Sequence, residues 1–274
     1  MALEVRELEP GDTAKWDAYV HGHPRGTLFH TLFWRDAVED AFNHRSRYLL
    51  ARRDGRIVGV FPLTQVTSRL AGRILVSVPY AVYGGALADD DEVLEALLEQ
   101  TRELAEDIRA EWVDIRSREA TWPDLPVVKR YVTFRKELPR RPEDVLPSLP
   151  RKARAAARHA RERYGLQASF DDRHLDQVWA LYSQNMRRLA SPNYPARFFR
   201  ALIERTQATP GDPNGVAHVV QLVTREGRPI AGLISFIYRG TLMPYFSGCD
   251  ERAERYHPNN FLYLTAMEHG VRIG

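Results

Sequence analysis

Apolar positions along the chain keep two rhythms, one of period two and one of period three to four, and the rhythms alternate. Residues 12–20 read as a short helix with Asp12 in the N-cap position. Beyond Thr31, the residues Trp34, Ala37, Val38, Ala41 and Phe42 mark one apolar helical face. Two hydrophobic runs within residues 48–63 flank Asp54-Gly55, the signature of a tight hairpin. A strand at 74–80 then leads into Tyr83-Gly84-Gly85. After Asp89-Asp90-Asp91, the stripe Val93, Leu94, Leu97, Leu98, Leu104, Ala105 and Ile108 defines a long amphipathic helix. Strand-like segments at 112–116 and 128–138 close a first domain, residues 1–138.

Pro139, Pro142, Pro147 and Pro150 crowd the next twelve residues, so 139–150 reads as a linker that cannot continue a sheet. The second domain, 151–274, opens with an alanine-rich helix that Gly165 stops. A short strand near 167–170 and a helix over 175–188 follow. Next come the loop Ala190-Ser191-Pro192-Asn193-Tyr194-Pro195, a helix through Phe198, Phe199, Leu202 and Ile203, and a second hairpin. ARRDGRIVGV in the first half matches VTREGRPIAGL in the second, with one extra residue at Pro229. Pro79-Tyr80 before Gly84-Gly85 matches Pro244-Tyr245 before Gly248, and the helix of 93–108 matches 260–269. Three landmarks in one order imply two copies of a single α/β unit. The sequence stops where the copy of the 112–116 strand would begin. The second unit is therefore expected to lack its last strands and to leave a sheet edge unpaired.

Composition narrows the class. The chain is 44% hydrophobic and 27% charged, and no window approaches the apolar length of a membrane span. An acidic start broken by Pro10 and Gly11 is not a signal peptide. The single cysteine, Cys249, suits a reducing cytoplasm, and the histidines show no zinc-binding spacing, so no metal is expected. The net charge of +3 is mild, but six of the 39 Lys and Arg residues lie within 151–163. Arg151, Arg154, Arg158 and Arg161 recur at helical spacing, flanked by Lys152, His159 and Arg163. The face reads either as solvated or as a grip for a phosphorylated ligand.

Helix, hairpin, strand, helix and strands, present twice, resemble the tandem acetyltransferase-like (GNAT-like) architecture of the Fem-type (FemAB-like) transferases, in particular the exosortase-associated branch. FHTLFW (29–34), PYAVYGG (79–85), YVTFRKEL (131–138) and LPRKARAAARHA (149–160) carry the resemblance. LYSQNMRRLASPNYPARFFRAL (181–202), MPYFSG (243–248) and HPNNFLYLTAMEHG (257–270) continue it. It implies an α/β (α+β) fold of two tandem GNAT-like domains, the second truncated, because relatives continue into a strand carrying Asp-Phe-Gly-Arg-Ser that is absent here. It further implies an acyltransferase moving an aminoacyl or acyl group to an amine. The acceptor would be a phosphorylated small molecule or lipid-linked precursor of the cell envelope or of exopolysaccharide, and the donor an aminoacyl-tRNA. Two rivals remain open: an acetyl-CoA-dependent acetyltransferase, and a non-catalytic RNA-binding or scaffold protein.

Acyl transfer to an amine needs a held carbonyl and donors for the developing oxyanion, and no metal. The glycines at 84 and 85 lack the spacing of a pyrophosphate loop and read as turn residues. Arg151, Lys152, Arg154 and Arg158 are the candidates for phosphate contact, and relatives place a basic helix there beside the acceptor's diphosphate. Trp34 is either core or, by its place in the family, near the acceptor pocket. Tyr80, Tyr83 and Tyr245 follow matched strands, as cleft residues or as packing. Tyr182, Asn185 and Arg187 lie about one helical turn apart and are expected to line the same cleft. Asn260 is read as the N-cap of the last helix or, alternatively, as a ligand contact, and His44, His174 and His218 as structural. No general base stands out.

Overall fold

The computed structural model describes residues 3–68, 72–118, 122, 124–128, 132–206 and 215–274, in two compact units, Met1–Tyr131 and Val132–Gly274. In the first, β1 (Leu3–Glu7), α1 (Thr13–Gly22) and α2 (Leu32–Phe42) precede β2 (Arg45–Ser46), β3 (Leu49–Arg53), β4 (Arg56–Phe61), β5 (Thr64–Ser68) and β6 (Gly72–Ser77). β7 (Leu87–Ala88), α3 (Asp91–Asp107) and β8 (Val113–Ile115) follow. The strands form two four-stranded sheets, β1-β3-β4-β7 and β2-β5-β6-β8, antiparallel except for β6 beside β8. Alternation along β3 sends Leu50 towards Trp16 and Val20 of α1. Leu49 and Ala51 pack instead with Val93 and Leu97 of α3. Asp90 caps α3, its Oδ1 accepting the Val93 N–H at 2.9 Å. Asp12 does stand at the N-cap of α1, but its buried carboxylate pairs with Arg6 and caps nothing.

The second unit contains α4 (Arg151–Glu162), β9 (Gln167–Phe170), α5 (Leu175–Arg188), α6 (Ala196–Arg205), β10 (Ala217–Arg225), β11 (Arg228–Tyr238), β12 (Thr241–Cys249) and α7 (Pro258–Ile273). Its sheet runs β12-β11-β10-β9, antiparallel throughout. α5 lies on one face, where Gly232 and Gly248 let it approach: a Cβ on Gly232 would stand 2.8 Å from Val178. α7 covers the other face, with Phe261, Leu262 and Ala266 against Val223, Ala231 and Leu233. α4 packs outside α7 through Ala157 and Leu264. His257, with φ of 57°, caps α7 ahead of Pro258, so Asn260 lies inside the helix and is not its cap.

The repeat is more regular than the sequence indicates. Ala51↔Gly59, Arg52↔Ile57 and Arg53↔Arg56 recur as Val223↔Ala231, Thr224↔Pro229 and Arg225↔Arg228. Every pair moves by the same 172 residues (51 to 223, 59 to 231), and both ladders bulge at the same place. The turns match as well, Asp54-Gly55 and Glu226-Gly227 both carrying φ of 53° and 76°. No residue is inserted at Pro229. The sequences misalign because each copy puts its glycine on a different face: Gly59 lies under α3, Gly232 under α5.

The copies part company one strand later. In the second unit β12 runs unbroken from Phe236↔Met243 to Ala231↔Cys249, with Tyr245 bulged out between Pro244 and Phe246. In the first, the equivalent ladder is β6 (Thr64↔Val76) and then β7 (Gly59↔Ala88), with residues 78–86 looped out between them. Gly84 and Gly85 therefore have no counterpart at Gly248, which matches Leu87 instead.

Two further expectations differ from the structure. Residues 132–138 form no strand, and Val132 and Phe134 are 78% and 91% exposed; residues 129–131 lie outside the described residues. An alternating pattern makes a strand only where a neighbour supplies hydrogen bonds. The proline-rich stretch is packed, with Val145 fully buried among Ala157 and Leu264 of the second unit.

Candidate functional site

Three sequence-predicted residues of the first unit converge on the 78–86 loop. Trp34 is fully buried, its ring edge-on to Phe29 at 4.8 Å, and its Nε1–H donates to the Pro79 carbonyl at 3.1 Å. Tyr80 stacks on Phe42 at 4.0 Å, and its hydroxyl lies 2.8 Å from His44 Nε2. It adopts a left-handed φ of 61°, costly for a bulky residue and sustained here by that stacking. Burial depresses the His44 pKa. Trp34 and Tyr80 thus shape the loop, while Tyr83, half-buried, lines a small cavity behind it with Arg118 over its ring at 5.8 Å.

The cavity holds residues that no motif singled out. Its wall combines Arg25, Thr27 and His30 with Tyr83 to Leu87, Ser117 and Arg118. His30 is buried, and burial lowers its pKa to about 4, so the ring is neutral at pH 7. Its Nε2–H donates to Gly85 O at 2.8 Å, which leaves Nδ1 to accept from Thr27 N–H at 3.2 Å and Thr27 Oγ1 at 2.7 Å. The imidazole therefore pins the loop to the start of α2. FHTLFW was the available signal, since it placed His30 just ahead of the helix.

In the second unit Tyr182 is buried among Tyr194, Phe199 and Phe246, with centroids 6.2, 5.1 and 5.8 Å away. That apolar setting raises its phenol pKa, so the hydroxyl stays protonated. Tyr245, the bulged residue, packs edge-on to Phe246 at 4.7 Å. Asn185 accepts from Arg188 Nη2 at 2.9 Å. Trp179 Nε1–H donates to Tyr194 O at 3.1 Å, and Ser183 pairs with Asn193, so the 190–195 loop is held against α5. Tyr182 and Tyr245 share one aromatic cluster on the α5 face of the sheet.

The basic helix lies on the opposite side, beyond α7, so the structure does not bring its cations to Tyr182 and Tyr245. Its stripe also divides. Arg161 turns inward to Glu268 at 2.6 Å, a carboxylate 6% exposed, and Arg154 donates to Pro147 O at 3.0 Å. Arg151, Lys152 and Arg158 are exposed, with no ion pair among the described residues. No group of three or more His, Cys, Asp or Glu among the described residues could hold a metal ion. Burial pushes the Cys249 thiol up to about 11, so it is un-ionised at neutral pH and a poor nucleophile. No helix among the described residues is long and apolar enough to cross a membrane.

Residues 148–274 match the family model described as an acetyltransferase (GNAT) domain. A comparison with curated proteins returned no match. Among solved structures, FemX is similar at 15% identity and a TM-score of 0.64, covering 99% of this chain and 86% of its own. A tandem GNAT protein from the clavulanic acid biosynthesis pathway is similar at 13% identity and a TM-score of 0.54, covering 99% and 86%. The C-terminal domain of a putative lysylphosphatidylglycerol synthetase from Agrobacterium fabrum is similar at 11% identity and a TM-score of 0.50, covering 96% and 76%. At these identities the likeness is one of fold. With the duplicated hairpin register it establishes an α/β protein of two tandem GNAT-like units.

Proposed function

We propose that the chain is an N-acyltransferase of the Fem type, moving an aminoacyl or acyl group to an amine on a phosphorylated cell-envelope or exopolysaccharide-related precursor. The observation that carries this reading is the outward face of α4 in a tandem GNAT-like fold. Arg151 and Arg158 stand two turns apart, about 10 Å along the axis, with Lys152 beside them; none of the three forms an ion pair among the described residues, and the one carboxylate of the helix, Glu162, stands at its C-terminal end. A diphosphate offers bidentate acceptors to such side chains. In the transfer the neutral amine attacks the acyl carbonyl, a C–N bond forms, and the bond to the donor breaks. The amine's proton passes to water or to the departing group. Aminoacyl-tRNA is the donor favoured by the Fem-type resemblance. The exosortase-associated resemblance supports an envelope or exopolysaccharide acceptor, and a cytoplasmic site of action follows from the donor.

The test is a transfer assay with charged tRNAs and amine acceptors, with and without a diphosphate group. The double variant Arg151→Gln/Arg158→Gln is expected to raise KM for the diphosphate acceptor about a hundredfold, the loss of two charge-assisted contacts at about tenfold each, with kcat and the non-phosphorylated acceptor unaffected. Equal KM values would remove α4 from the site. The match of residues 148–274 to an acetyltransferase domain favours acetyl-CoA as the rival donor. A saturable rise in Tm with CoA, together with acetyl transfer and no aminoacyl transfer, decides for that reading.

A further inference from the structure

The cavity behind the 78–86 loop belongs wholly to the first unit, and its chemistry is one-sided. Two guanidiniums, Arg25 and Arg118, stand at its mouth, both exposed and without a carboxylate partner among the described residues. No Asp or Glu lines it. Deeper in, Ser117 Oγ is buried with no hydrogen-bond partner, an arrangement that is costly unless something else accepts the proton. The parallel pairing of β6 with β8, ending at Ser77↔Ile115, delivers that hydroxyl beside Gly85. A Cβ on Gly85 would overlap it, so glycine at this position makes room for the Ser117 hydroxyl. The volume is about 60 Å³. At about 10–15 Å³ per water-sized group, that accommodates roughly four to six, enough for a carboxylate or phosphate head.

We propose that this cavity binds a small oxyanion, a carboxylate or phosphate group, between Arg25 and Arg118 with Ser117 donating to it from below. Tyr83 steadies the Arg118 fork from beneath, and His30, through Gly85 O, holds the loop that forms the wall. The site is independent of the donor and acceptor proposed above, since it uses no residue of α4.

Binding of inorganic phosphate and of acetate to the full chain, at ionic strength matched with sodium chloride, tests this by calorimetry and by the shift in Tm. At least one of the two is expected to bind saturably at one site. Phosphate alone would assign a phosphoryl group, and acetate a carboxylate. Arg25→Gln and Arg118→Gln should each weaken binding about tenfold, as should Ser117→Ala, which fills nothing and leaves the fold intact. Arg151→Gln/Arg158→Gln should leave it unchanged. Absence of saturable binding, or binding lost in the α4 variant and kept in Arg25→Gln and Arg118→Gln, would overturn the assignment.

Discussion

Replacing Gly248 with alanine tests how the second unit holds α5 against its sheet. A Cβ at 248 would come closer than 3.0 Å to backbone atoms of Leu181 and Tyr182, in the middle of α5. Side-chain ends can swing away from a new methyl, but a helical backbone moves only with its helix. The cost therefore belongs at the upper end of the overpacking range, about 3 kcal/mol. Gly240, at the tip of the β11–β12 hairpin, supplies the control. It has φ of 67° and nothing within 4 Å, so Gly240→Ala adds only left-handed strain, about 1 kcal/mol. Gly22 ends α1 in open space with no positive φ, and Gly22→Ala is expected to stabilise by about 0.5 kcal/mol. Urea unfolding followed by circular dichroism gives the ranking. Thermal scans should lower Tm by on the order of 10 °C for Gly248→Ala. A Gly248→Ala midpoint no lower than that of Gly240→Ala would refute the close approach, and with it the placement of Tyr182 against β12.

Two other perturbations follow from buried groups. The folded-state pKa of His30 lies near 4, below its ordinary 6.5, so folding keeps the ring neutral while the unfolded chain takes a proton. Stability should be full above about pH 6.5 and fall by about 1.4 kcal/mol per unit towards pH 4, a slope that His30→Gln flattens in urea titrations across that window. Arg161→Ala strands the Glu268 carboxylate beneath α4, with Arg272 4.0 Å away as its remaining partner. Because Arg161 is itself 39% exposed, the loss is about 2 kcal/mol. A Tm equal to that of the parent would show that solvent already screens the pair.

Periodicity carried most of the fold because the elements it marks bury one face each. α2, α3, α5 and both hairpins lie where the apolar spacing places them, and Asp54-Gly55 forms the expected turn. The failures share one cause: pattern specifies a face but not the partner that covers it. Residues 132–138 alternate like a strand and join no sheet among the described residues. On α4 the arginine stripe was visible, yet its division was not, since Glu268 lies 107 positions from Arg161. The cavity was the least legible feature. Arg25 comes from the α1–α2 connection and Ser117-Arg118 from the segment after β8, brought together by the α2 approach and the β6–β8 pairing, and they carry no local signature.

The duplicated frame explains why chemistry concentrates where it does. Both copies build the same hairpin to the same residue, bulge included, so the hairpin is the invariant part and the next strand is where they diverge. In the second copy that strand stays closed, its one irregularity being Tyr245, and aromatic rings fill the space above it. The first copy opens at the equivalent point into nine residues, 78–86, which expose Tyr83, Gly84 and Gly85 to a cavity. A bulge and a loop at one topological position are small and large answers to the same break in the ladder. Shortening 78–86 to the three residues of 245–247 should therefore close the first sheet, abolish oxyanion binding and leave the β3–β4 hairpin folded. Hydrogen exchange on β3 and β4 distinguishes that outcome from general unfolding. Loss of protection throughout the first unit would mean that the loop holds its sheet together and was not added to a frame already complete.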